Sequence, residues 1–270
     1  MYKVEQASND TKIDSAYRDL YKAGAVAALI AALFFRRNLD AEWILIRMTG
    51  IINAGPSALP DTVVDWFTLL QNNTLLGLTL LNLFDLVNYA LVGLIFLALF
   101  VALRRTSQSW IAIAGALSIG GITVYLTSNQ AFTMLSLSKQ YAAANIEAQR
   151  AMILAAGEAV LAVHNNASYA GSGIYLSFLL VSAAGLIIST VMLRSEFFNK
   201  GTAYTGILAN GFGLCYYIVL AFSPALVSIP ISISAIFLLI WYLRVGFRLW
   251  SLGSMKTTGE PQVSASIEGV

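Results

Sequence analysis

Residues 75–103 read LLGLTLLNLFDLVNYALVGLIFLALFVAL, and the run stops at Arg104 and Arg105. A helix of about 20 apolar residues crosses the hydrocarbon core of a bilayer. This run is long enough to do so, and its one charged side chain is Asp85. The stretch therefore sets two questions: how many such helices the chain holds, and what a carboxylate does inside one of them.

Working outward, four further runs meet the length requirement: 110–127, 174–193, 202–222 and 224–243. A sixth run, 20–37, is weaker. Its strictly apolar part, Ala23–Phe35, reaches only about 20 Å at 1.5 Å per residue. It spans if Lys22, Arg36 and Arg37 snorkel to the headgroups. That run ends in FFRRN rather than in a small-residue cleavage site, so it does not read as a cleaved signal peptide. The expected fold is an all-α polytopic membrane bundle of about six transmembrane helices, a single domain over 1–253 with a polar, disordered tail at 254–270.

Composition agrees. The chain is 58% hydrophobic and 11% charged, against about 25% charged for a soluble domain. The lipid bilayer is its expected partner. The net charge of +2 is small and dispersed, so no nucleic-acid partner is expected. Cys215 is the single cysteine and forms no internal disulfide; His164 is the single histidine and, without cysteines beside it, makes no structural zinc site. No metal and no cofactor is expected.

Lysine and arginine set the orientation. With six spans and a cytoplasmic N-terminus, 11 of the 16 Lys and Arg fall inside and five (Arg36, Arg37, Arg47, Lys139 and Arg150) fall outside. Both termini are then cytoplasmic, with Trp110, Trp241 and Tyr242 at the inner interface.

Residues 11–22 read as an amphipathic helix, with Ile13, Tyr17, Leu20, Tyr21 and Gly24 on one face and Asp14 and Arg18 paired on its surface. Two longer segments, 36–73 and 127–173, lie outside. The first holds the loop signature NAGPSALPD. Within the second, Gln140–Val163 reads as one amphipathic helix. Gln140, Glu147, Arg150 and Glu158 form its polar face, opposite Ile146, Ile153, Ala156, Val160 and Val163. Small residues recur every four positions in Ala112, Ala116 and Gly120, in Gly185 and Ser189, in Ala209 and Gly213, and in Ser228 and Ser232, which suits close helix packing. Pro230 is expected to kink the last span.

The stretches LSKQYAAANIEAQRAMILAAGEAVLAV and VMLRSEFFNKGTAYTGILAN carry a resemblance. Over roughly residues 75–250 the chain resembles a family of bacterial and archaeal multi-pass membrane proteins known only as a domain of unknown function. The resemblance implies a prokaryotic inner-membrane protein of about six helices. It implies no activity and no site residue.

On a helical wheel Asn82, Asp85, Asn88 and Tyr89 fall within about 120°, opposite an apolar face of Leu81, Phe84, Val87 and Leu91. An ionisable residue within a span points to function, usually facing the bundle interior or water. Its depth places Asp85 in the outer third, beneath the two long outer segments, so its readings are an interfacial carboxylate bonded to neighbouring Asn or Tyr or paired with Arg47 or Arg150, a site covered by the outer helices, or a proton or cation relay. Asn210, Tyr216 and Tyr217 in the fifth span could line the same space or serve interhelical hydrogen bonds. Glu158 reads as solvated, and His164 as a residue at a helix C-terminus.

Enzyme motifs are absent: no Walker loop, dinucleotide fingerprint, HExxH or nucleophile elbow. Lys200 falls in a loop, so no retinal site is expected. A catalytic aspartate pair would need a second carboxylate inside another span. The expected function is non-enzymatic: binding or transport of a small solute or lipid at Asn82, Asp85, Asn88, Tyr89 and Asn210. The alternative is a structural, accessory or sensor subunit that holds a membrane-protein partner through its outer helices.

Overall fold

The computed structural model describes the backbone of residues 15–48, 60–165, 171–223, 226 and 228–255, with side chains in 16–34, 60–162, 173–223, 226 and 228–255. Among these residues the chain is helical, with no strand. A short 3-10 turn, Ser15–Tyr17, leads into α1 (Arg18–Met48), followed by α2 (Val63–Asn72), α3 (Thr74–Leu80), α4 (Leu83–Leu103) and α5 (Gln108–Ser128). Then come α6 (Ala131–Ala143), α7 (Glu147–Asn165), α8 (Gly171–Met192), α9 (Lys200–Phe222) and α10 (Ser228–Ser254).

Six helices close a ring in chain order. α1 packs on α4, α4 on α5, α5 on α8, α8 on α9, α9 on α10, and α10 returns to α1. Five stretches, four of them essentially α4, α8, α9 and α10 and the fifth running from α5 through α6, are long and apolar enough to cross a membrane. Their outward faces are as oily as their inward ones. On α4, Leu94 and Leu97 face out while Ile95 and Leu99 are fully buried. Ile119, Ile218, Ile236 and Phe247 are likewise exposed. A helix apolar all round needs lipid on its outer side, so the ring is a membrane bundle.

α1 is 31 residues long, about 46 Å at 1.5 Å per residue. It joins the ring through an alanine face, Ala25, Ala28 and Ala32, each almost fully buried. Glycine lets the backbones close up here. A β carbon on Gly24 would lie 2.4 Å from the Ala98 Cβ of α4, and one on Gly246 of α10 would lie 3.1 Å from Leu29. Tyr17, Leu20 and Tyr21 pack on the same core, and residues 15–22 of the expected amphipathic start are continuous with the rest of α1. Ile13, Asp14, the segment 49–59 and the tail 256–270 lie outside the described residues.

Residues between Val63 and Leu81 and between Ala131 and Leu161 form a second, smaller core. Thr62 and Asp65 make a capping box that starts α2. Trp66, Phe67 and Leu70 then pack against Met134 of α6 and Ile153 and Leu161 of α7. Gly157 brings α7 close, since a β carbon there would meet Val63 Cγ1 at 2.6 Å and Phe67 Cζ at 2.8 Å. Ser138 Oγ donates to the Phe67 carbonyl at 3.0 Å, and Gln71 Nε2 donates to the Ser138 carbonyl at 3.1 Å.

Several boundaries depart from the sequence reading. The run 75–103 is not one helix: it breaks between α3 and α4 at Asn82, whose φ of 66° is left-handed. Leu81, expected to face lipid, is buried in the outer core. The expected helix over 140–163 is broken between Ala143 and Glu147, and its buried face is Ile153, Gly157 and Leu161, while Ile146 and Ala156 are exposed. Gln140, Glu147, Arg150 and Glu158 are exposed, as read. Ala112 and Ala116 face outward; the close-packed positions of α5 are Ala114, Ser118 and Gly121. Ser228 and Ser232 are exposed as well. Pro230 sits in the first turn of α10, where a missing N–H costs no helical bond. Because α10 continues to Ser254, Trp241 and Tyr242 lie near its middle and are buried, not set at the interface.

Candidate functional site

A partly open cavity of about 210 Å³ lies between α4, α8, α9 and α10. α4 supplies Asp85, Asn88, Tyr89, Val92 and Phe96, spaced so that one helical face meets the space. α8 adds Phe178, Val181 and Ser182; α9 adds Ala209, Asn210, Gly213, Tyr216 and Tyr217. α10 adds Ile231, Ser234, Ala235, Leu238, Trp241 and Tyr242. Among the described residues, none that lines the cavity comes from α2, α3, α5, α6 or α7.

Four of the five residues singled out from the sequence meet here: Asp85, Asn88, Tyr89 and Asn210. Asn82 does not line the cavity. Its side chain makes no cap bond, and its contribution is the left-handed turn that sets the start of α4. Asn tolerates that conformation better than other non-glycine residues. The turn has a consequence for Asp85. It becomes an acid in the first turn of α4, where the unpaired N–H groups and the helix dipole favour a carboxylate.

The polar part of the wall is built by small residues. Asn210 Nδ2 donates to the Gly206 carbonyl at 2.8 Å. Its amide lies over Gly185, where a β carbon would come within 2.1 Å of Oδ1. Ser234 Oγ of α10 donates to the Ala209 carbonyl at 2.7 Å, tying α10 to α9. Ser189 Oγ is returned to its own helix, on Gly185 O at 2.7 Å. Gly206 also makes room for Trp241, whose Nε1 would be 2.4 Å from a β carbon there.

Two groups of rings form the rest. Tyr89 stacks on Tyr125 with centroids 3.9 Å apart and planes 7° apart. Phe178 leans on both, at 5.6 and 5.8 Å. Tyr217 continues the group toward Tyr216 and Tyr175, and Tyr175 Oη donates to the Tyr217 carbonyl at 3.1 Å. At the other end Trp241 packs edge-on to Phe96 at 6.4 Å and against Tyr242 at 5.5 Å. Asp85 and Phe96 are 11 positions apart on α4, so the cavity runs about 16 Å along the helix at 1.5 Å per residue. Asp85 lies toward one end of it and Phe96 toward the other, with rings along the length between them.

Two buried polar atoms of lining residues have no hydrogen-bond partner: Asn88 Oδ1 and Trp241 Nε1. Arg150, an expected partner of Asp85, instead donates from Nε to the Ala144 carbonyl at 3.0 Å. The side chains of Arg47 and His164 lie outside those described. Among the described residues no three His, Cys, Asp or Glu side chains gather where they could hold a metal ion.

Sequence reasoning missed Phe178 and Trp241 as lining residues and Tyr125 as the ring stacked on Tyr89. Each is an aromatic residue in an apolar helix, and nothing in local pattern separates a ring that faces the bundle interior from one that faces lipid. The chain matches no family model, no curated protein and no solved structure.

Proposed function

We propose that the protein is a non-enzymatic, membrane-embedded binding or transport protein for a small solute. One observation carries this reading: a closed ring of helices leaves a cavity of about 210 Å³ where Asp85, Asn88, Tyr89 and Asn210 converge. A small-molecule site is a concave, mostly apolar space with a few placed polar groups. An ionisable residue within a membrane helix is costly, faces the bundle interior or a water-filled cavity, and points to a functional site by default. Pockets for drug-sized ligands measure about 300–1,000 Å³, so this space suits a smaller molecule.

The setting proposed is the prokaryotic inner membrane with both termini cytoplasmic. The excess of Lys and Arg in the segments assigned inside supports it. Cysteine labelling in intact cells tests it, with Cys215 replaced by serine and single cysteines placed at Ser107 and Thr133. Ser107 should be shielded from an impermeant reagent and Thr133 open to it.

A second reading, an accessory or sensor subunit gripping a partner through the outer helices, has one observation in its favour. Phe132, Ile146 and Met152 are exposed on α6, α7 and the bend between them. Native mass spectrometry decides between the two. A small bound mass in the parent that is lost in Asp85→Asn supports the cavity. Retention of a protein partner with no small mass supports the outer helices.

A further inference from the structure

A second site lies away from the cavity, where α9 begins beside the last turns of α10. We infer that this junction binds the phosphate headgroup of an anionic phospholipid. Residues 194–204 and 244–250 carry four cations, Arg194, Lys200, Arg244 and Arg248, and one carboxylate, Glu196. Contacts across the junction place two of the four. Arg248 Nε donates to the Phe197 carbonyl, which uses one of the five N–H donors of its guanidinium. The Arg244 guanidinium lies over Gly201 in the first turn of α9, where a β carbon would come within 2.5 Å of Nη1. Glycine at 201 thus lets Arg244 reach from α10 to the start of α9, beside Lys200. Arg194, Lys200 and Arg244 are exposed.

The surroundings point to a lipid and not to a soluble anion. Tyr204, four residues beyond Lys200 on α9, is 56% exposed, and Phe247, three residues beyond Arg244 on α10, is 65% exposed. Residues at these spacings share a helix face, so each cation stands beside a ring on the outward surface of the bundle. Leu208 continues the exposed face of α9. A phospholipid can lay its acyl chains along these side chains while its phosphate reaches the cations, as acidic headgroups do in basic pockets between membrane helices. A soluble anion gains charge attraction alone, which salt screens at an exposed surface. A zwitterionic headgroup carries an ammonium that the four cations repel, so the preference is for a headgroup with net negative charge.

The test is native mass spectrometry of the full chain in detergent, titrated with phosphatidylglycerol and with phosphatidylcholine of the same acyl chains. The parent should bind its first phosphatidylglycerol at least about fivefold more tightly, the ratio that corresponds to one Lys or Arg at an acidic membrane surface. Lys200→Gln, at an exposed position, should reduce the preference, and Lys200→Gln combined with Arg244→Gln should abolish it. Arg105→Gln removes a cation from the α4–α5 connection at the same end of the bundle and should keep it. Excess glycerol 3-phosphate should not displace the bound phosphatidylglycerol. Equal binding of the two lipids by the parent, or binding of neither, would overturn the proposal whether or not a variant folds. An equal loss of preference in Arg105→Gln and in the paired variant would replace the site with diffuse charge. Displacement by glycerol 3-phosphate would overturn the lipid and assign a soluble anion.

Discussion

The amide of Asn210 lies directly over the α carbon of Gly185, so closely that a β carbon at 185 would come within 2.5 Å of Cγ and 2.1 Å of Oδ1. α8 and α9 therefore meet through an absent side chain on one and a hydrogen-bonded amide on the other. Gly185→Ala should push Asn210 off the Gly206 carbonyl and cost about 1–3 kcal/mol, the usual range for overpacking. Gly211 on the same helix α9 has open space around its β position. Gly211→Ala should be neutral or stabilising by up to about 1 kcal/mol, the helix-propensity gain. Thermal unfolding in detergent compares the two. Equal effects would show that the close approach at Gly185 is not what positions Asn210.

The stack of Tyr89 on Tyr125 joins the cavity wall to α5. Tyr125→Phe should keep the ring contact and change stability little. Tyr125→Ala should cost about 3–5 kcal/mol, as for other large-to-small changes of a buried ring. Denaturation midpoints measure the difference. A Phe variant as unstable as the Ala variant would assign the contribution to the hydroxyl and not to the stack.

Asn82 tests the break in the long apolar run. Its φ of 66° suits glycine and asparagine. Asn82→Gly should be tolerated. Asn82→Val should cost about 1–2 kcal/mol from backbone strain and, by resetting the start of α4, should weaken whatever the cavity binds. If valine is accepted without loss of stability, α3 and α4 are joined differently from the geometry described.

Gly157 tests whether the outer core is separable from the bundle. Gly157→Ala places a β carbon against Val63 and Phe67 and should loosen α7. Hydrogen exchange should rise in 131–165 while α8 and α9 keep their protection, the pattern of local opening. A uniform rise across the ring would mean that the two cores unfold as one unit.

Much of the bundle was legible because a membrane span announces itself by length and oiliness alone. The ring helices follow the apolar runs. The weakest run, with its charged flanks, lies within α1, which continues to Met48; its alanine face packs on α4 and α10. What the pattern hid were choices made by tertiary contacts. Nothing local distinguishes Asn82 at a left-handed turn from Asn88 on a helix. Ala112 and Ala114 look alike, yet only the second is packed, because the inward direction of α5 is fixed by Tyr125 and Gly121. Asp85 was visible as an isolated charge, and Asn210 as an isolated amide. That both line one cavity belongs to the topology, which brings together helices over 100 residues apart in sequence.

The central claim, that this cavity holds a small molecule, is tested most directly by filling it. Ala235 lines the space on α10, and Ala235→Phe would occupy it with a ring. A ligand that binds only the folded state raises stability by about 2.7 kcal/mol at a hundred times its dissociation constant. Thermal unfolding should therefore be followed against a panel of small solutes for the parent and for Ala235→Phe. At least one solute should raise the melting temperature of the parent and leave the variant unchanged. A panel with no effect on the parent, or the same rise in both proteins, would contradict the account.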